Sequence, residues 1–118
     1  MQTIEELLVA ADDALVKYSY YLRRDILHQG KGYVKFRLYI SRNLFVQVNR
    51  NEIANLTNMV LLHDFKRIYA RDEYQGKWHR HPIADPDEHN HGEEGSKPIS
   101  FDEFLLEVDS ILKEKGLV

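Results

Sequence analysis

Cysteine is absent from this sequence. That removes a disulfide framework, a thiolate metal site and a cysteine nucleophile from consideration, and it points to a reducing compartment. Long apolar runs are missing too: nowhere do about 18 consecutive apolar residues occur, so no membrane-spanning helix is expected. The N-terminus begins as an acidic amphipathic segment, whereas a secretory leader places a basic stretch ahead of an apolar one. A cytoplasmic protein with no membrane partner is the expectation. No internal repeat is evident. What the chain does have is 118 residues, 43% of them hydrophobic, which suffices for one core and not for two, and residues 1–118 are read as a single domain.

Charge is unevenly spread. Residues 17–80 carry thirteen Lys and Arg against five Asp and Glu, a balance of +8. The flanks, residues 1–16 and 81–118, carry three against fourteen, a balance of −11, which leaves the chain at −3. Such asymmetry points to a nucleic acid or another acidic partner meeting the basic part. The plainer alternative is that acidic helices pair with a basic sheet inside the fold.

Thr3 with Glu6 three residues later is a capping box, so a helix opens there, with Ile4, Leu7, Leu8 and Ala11 on one face. Beyond Asp12 and Asp13 the pattern is ambiguous. Leu15, Tyr18 and Leu22 continue the helical stripe, while the Val- and Tyr-rich stretch from Val16 to Leu22 favours a strand. A strand is predicted over Val16–His28, because one helix from Thr3 to His28 would be long for a domain of this size. After Gly30 and Gly32 the period-2 pattern is clear: Val34, Phe36, Leu38 and Ile40 point one way, and Tyr33, Lys35, Arg37 and Tyr39 the other. Turn residues Ser41, Arg42 and Asn43 lead into a partner strand, Leu44–Val48. Met59–His63 and Arg67–Asp72 complete an antiparallel meander, joined through Asp64 and Phe65.

From Tyr74 to Pro98 the composition turns to Gly, Pro, His, Asp and Glu, which reads as a long loop. Ser100 and Glu103 form a second capping box, with Ile99 and Phe104 placed for a hydrophobic staple. Phe101, Phe104, Leu105, Val108, Ile111 and Leu112 then follow helical spacing up to Gly116. The predicted fold is therefore α+β: a five-stranded, mostly antiparallel meander sheet, a helix at each end and a long loop rich in histidine and acid.

That loop holds the densest chemistry. Four of the six histidines form two pairs, His79/His81 and His89/His91. On an extended segment His79 and His81 would project from one face, the geometry by which a strand offers two imidazoles to one ion. One reading is thus a divalent metal such as zinc on His79, His81, His89 and His91. Another is a surface loop with no ion. The third is catalytic and needs no cofactor. Cleaving a phosphodiester beside a ribose 2′-hydroxyl requires a base, an acid and fixed positive charge, and histidine can perform both proton tasks near neutrality. His79 and His81 would supply these. Arg67, Arg71 and Arg80 would hold phosphate, and Tyr69 and Trp78 would contact the substrate. On a strand from Arg67 to Asp72, Arg67, Tyr69 and Arg71 share a face, and the reading requires the arginines and histidines to converge on one open pocket.

A second candidate surface is the outer face of the first hairpin, where Lys35 and Arg37 stand between Tyr33 and Tyr39. Aromatic and basic groups side by side suit single-stranded nucleic acid, which stacks its bases while its phosphates are neutralised. The N-terminal helix, bearing Glu5, Glu6, Asp12 and Asp13, could instead cover this face. Tyr18, Tyr20 and Tyr21 read as ordinary packing or as further aromatic surface.

The order of these features resembles the TumE-type toxin family, small proteins encoded beside an antitoxin. The matching segments are GYVKFRLYISRNLFVQV, similar to that family's first hairpin; KRIYARDEYQGKWHRHP with the downstream HNH, similar to its strand leading into a histidine-rich loop; and PISFDEFLLEVDSIL, similar to its closing helix. The resemblance spans roughly Lys17 to Leu112. It implies site residues at Asp72, His79, His81, His89 and His91, an RNA-cleaving toxin, and an antitoxin protein as partner. A non-enzymatic module that binds nucleic acid or protein is the competing reading, and self-association fits either.

Overall fold

The computed structural model describes residues 2–82 and 93–118. Six strands form one antiparallel sheet in the order β1-β2-β3-β4-β5-β6: β1 is Arg23–Gly30, β2 Tyr33–Ser41, β3 Leu44–Asn51, β4 Leu56–His63, β5 Lys66–Tyr74 and β6 Lys77–His81. Helices α1 (Ile4–Lys17) and α3 (Phe101–Glu114) lie against one face of it, and a single helical turn, α2 (Glu93–Ser96), lies near β6.

Two expectations need correction. The segment from Val16 to His28 is not one strand, because α1 continues to Lys17 and β1 starts only at Arg23. Ala10, Ala11 and Ala14 are good helix formers that bury closely against the sheet, so the helical stripe runs on through Asp12 and Asp13. The three tyrosines that looked strand-like form the corner after the helix instead. Their ring centroids stand 4.8 to 5.9 Å apart, and Tyr20 Oη donates to Asp109 Oδ1 of α3 at 2.7 Å. Burial first, and the Asp109 bond second, hold the Tyr20 phenol far above its ordinary pKa.

The second correction is the strand count, six instead of five. Read as the start of a long loop, Tyr74–Lys77 is a two-residue hairpin turn, with Gln75 at φ 52 and Gly76 at φ 83. Two successive positive φ values make a type I′ turn, whose twist matches that of the flanking strands. Of the predicted loop, residues 83–92 lie outside the described residues, His89 and His91 among them.

The core forms where the hairpin pattern placed it. Val34, Phe36 and Leu38 are buried on the helix side, opposed by Leu7, Ala11, Phe101, Phe104 and Leu105. Both capping boxes are present, at Thr3/Glu6 and Ser100/Glu103. At its other end α3 closes in a Schellman motif: Leu117 N–H reaches Leu112 O at 2.8 Å and Gly116 N–H reaches Lys113 O at 3.1 Å, with Gly116 at φ +67. One end of the helix side is polar. There Arg50 Nη1 donates to Thr57 Oγ1 (3.0 Å), which donates to Glu73 Oε1 (2.9 Å), and all three residues are buried.

Candidate functional site

Side chains that face each other across an antiparallel pair lie on the same side of the sheet. On the face that neither α1 nor α3 covers, the register aligns His28, Lys35, Asn49, Asn58, Asp72 and His79 in a polar row through all six strands. The row spans five inter-strand steps of about 4.8 Å, roughly 24 Å. The next row runs Asp25, Arg37, Gln47, Val60, Ala70 and His81.

The two rows bring Asp72, His79 and His81 together at the β5–β6 end. Asp72 Oδ2 lies 3.2 Å from His79 Nε2 and 3.1 Å from His81 Nε2, so both imidazoles meet one carboxylate oxygen. Asn58 Nδ2 donates to the other oxygen, Asp72 Oδ1. His81 is buried, whereas Asp72 and His79 are half-buried. Three such ligand atoms, all within 4.8 Å of one another, are a set that could hold a metal ion.

Toward β2 the same face turns basic and aromatic. Arg37 bonds Gln47 Oε1 (2.9 Å) and the Tyr39 hydroxyl (3.0 Å), with its guanidinium carbon 4.2 Å from the Phe45 ring centroid. Tyr33 Oη donates to Asn49 Oδ1 at 3.0 Å. The N-terminal helix does not cover this surface, because its apolar stripe takes it to the other side, where Asp12 pairs with Arg24 at 2.8 Å. Lys35 and Arg37 thus lie where the alternation placed them.

The arginines expected at the histidines are not gathered there, so the single open pocket in which Arg67, Arg71 and Arg80 would hold phosphate beside His79 and His81 does not form. Arg67, Tyr69 and Arg71 do not share a face, since a bulge opposite Leu61 and Leu62 breaks the alternation between Arg67 and Tyr69. Arg67 lies across from Leu62, at the far end of β5 from Asp72. Tyr69 and Arg71 face the helices. Arg71 Nη2 donates to Glu107 Oε2 at 2.7 Å, and Tyr69 Oη to Glu107 Oε1 at 2.8 Å. Burial opposes the charge on Arg71, but the hydrogen bonds and charges of Glu107 and Tyr69 together outweigh it and raise its pKa, while burial and then Glu107 push the Tyr69 phenol up to about 12. Arg71 is therefore buried and paired with Glu107 on the helix side, away from the two histidines. Arg80 sits opposite Arg71 in the register, and Trp78 opposite Glu73, both on the helix side. Trp78 borders a cavity of about 410 Å³ together with Thr57, Glu73, Ile99 and Ser100.

Asn58, Asn49 and Gln47 went unnoticed in the sequence. The signal was present in Thr57-Asn58-Met59, a polar interruption of an apolar strand, but an amide acquires meaning only once the register sets it beside Asp72. No family model, curated protein or solved structure matches this chain significantly.

Proposed function

We propose that the protein is an RNA-directed toxin of a toxin–antitoxin pair, working from the sheet face opposite α1 and α3 with Asp72, His79 and His81 as its reactive centre. The observation that carries this reading is the polar row from Lys35 to His79, which joins a basic, aromatic surface to the Asp–His cluster without an intervening apolar patch. Amides in the row can bond base edges, the tyrosines can stack, and Lys35 and Arg37 can neutralise phosphate, the combination single-stranded RNA uses. The resemblance to TumE-type toxins supports the same target. An antitoxin would silence the protein by covering this face.

An in-line cleavage by two separate proton carriers places a base and an acid on different oxygens at opposite sides of the phosphorus. Here both Nε2 atoms meet Asp72 Oδ2, so the three side chains act as one centre and not as a divided acid and base.

Expression in a bacterial host, with sequencing of new RNA ends, tests the reading. Wild type should arrest growth and generate new ends, and folded His79→Ala or Asp72→Asn should do neither. Arrest that persists in a His79/His81 double alanine variant would remove the cluster from the mechanism. Arrest with RNA binding but no new ends would establish a non-catalytic binding module, and absence of both arrest and RNA binding would sink the proposal.

A further inference from the structure

We infer that Asp72, His79 and His81 form a three-ligand site for one divalent transition-metal ion of the zinc and manganese class, with Asn58 as its positioning residue. The inference concerns the ion alone and does not depend on RNA being the target.

Geometry carries it. Ligand atoms about 2.0 to 2.2 Å from a zinc ion stand roughly 3 to 3.5 Å from each other around a tetrahedral or octahedral centre. The two Asp72–His distances, 3.2 and 3.1 Å, match edges of such a polyhedron, and the three ligand atoms lie within 4.8 Å of one another. The backbone presets this arrangement. His79 and His81 are two apart on β6 and project from one face, and Asp72 is the direct cross-strand partner of His79. No loop has to move to assemble the ligands.

The donor chemistry selects the ion. Two imidazoles with one carboxylate suit zinc, manganese or iron(II), whereas magnesium and calcium prefer all-oxygen surroundings. Asn58 supplies an outer shell: by donating to Asp72 Oδ1 it leaves Oδ2 aimed at the imidazoles. His81 is buried while His79 and Asp72 are half-buried, so the site is anchored at His81 and reachable at the other two ligands. Three protein ligands with an accessible side are the pattern of a reactive metal, in contrast to a closed four-ligand structural one.

The plain alternative is an Asp–His hydrogen-bond cluster with no ion, and the test separates the two. Untagged protein, stripped with chelator, is dialysed against zinc or manganese chloride and its metal content measured, with cobalt(II) as a spectroscopic probe. One ion per chain is expected, with visible cobalt bands and a melting temperature several degrees higher. His79→Ala and Asp72→Asn should each lose at least tenfold in affinity, with folding checked by circular dichroism. Asn58→Ala should lose about tenfold while keeping the stoichiometry. His28→Ala, at the opposite end of the sheet, should bind as wild type does. Failure of wild-type protein to retain zinc, manganese or cobalt would overturn the inference. So would wild-type affinity in His79→Ala and Asp72→Asn, since the ion would then be held elsewhere.

Discussion

A carboxylate that water barely reaches depends on the groups that hold it. Glu73 is 2% exposed, hydrogen-bonded by Thr57 at 2.9 Å and 3.5 Å from Arg50 Nη1. Glu73→Ala leaves the Arg50 charge buried beside a void, and a loss of about 3 to 5 kcal/mol is expected by urea unfolding. Adding Arg50→Met to Glu73→Leu removes both charges and should recover most of that loss, because burying an ion pair offsets little more than its own desolvation. Tyr69 gives a pH signature. Its phenol is raised from 10.0 to about 12, so the folded state holds the proton more tightly than the unfolded chain does. The associated stability is complete below pH 10 and is lost as pH rises toward 12. Tyr20 and Tyr21, raised mainly by burial, act in the same direction. Urea midpoints measured across that range should fall, and fall less steeply in Tyr69→Phe. Residue types were enough to draw attention to His79 and His81, whereas Asp72 entered through the family resemblance. They could not place Arg71, because the acid it pairs with, Glu107, is 36 positions away on α3.

Elements were legible where their signals are local. Ser100, Glu103 and the apolar spacing after them define α3 within a few residues, and Thr3 with Glu6 does the same for the start of α1. Boundaries failed where tertiary contacts decide between two local preferences: α1 extends to Lys17 because its small alanines fit against the sheet. Strand β6 was missed because Gln75-Gly76 lacks the Asn-Gly or Asp-Gly pair that marks a type I′ turn. The backbone adopts that turn anyway, with Gln75 at φ 52. Asparagine tolerates this conformation better than glutamine, so Gln75→Asn should stabilise the protein by about 0.5 kcal/mol in thermal or urea unfolding. A destabilising result would mean that the Gln75 side chain matters more to the hairpin than its backbone angle does.

At the scale of the whole molecule, the packing of both α1 and α3 on one face gives the sheet two unlike sides. The charge asymmetry of the sequence is divided between them. Part of it is internal, in the Arg24–Asp12 and Arg71–Glu107 pairs that tie sheet to helices, while Lys35 and Arg37 lie on the side opposite those helices. Binding of single-stranded RNA to that side should weaken more than tenfold in Lys35→Glu/Arg37→Glu, and its dependence on salt should flatten, because fewer counterions are released from the phosphates. Unchanged affinity and salt slope would place any RNA elsewhere. By itself the sequence determined what depends on neighbours along the chain: the caps, the alternation of β2, the α+β class and the richness of histidine near residue 80. Tertiary structure alone decided the strand register, the choice of face for the helices and the fate of each arginine. Those follow from contacts between residues far apart in the chain, and a shift of one residue in register would have carried Asp72 to the side opposite its histidines.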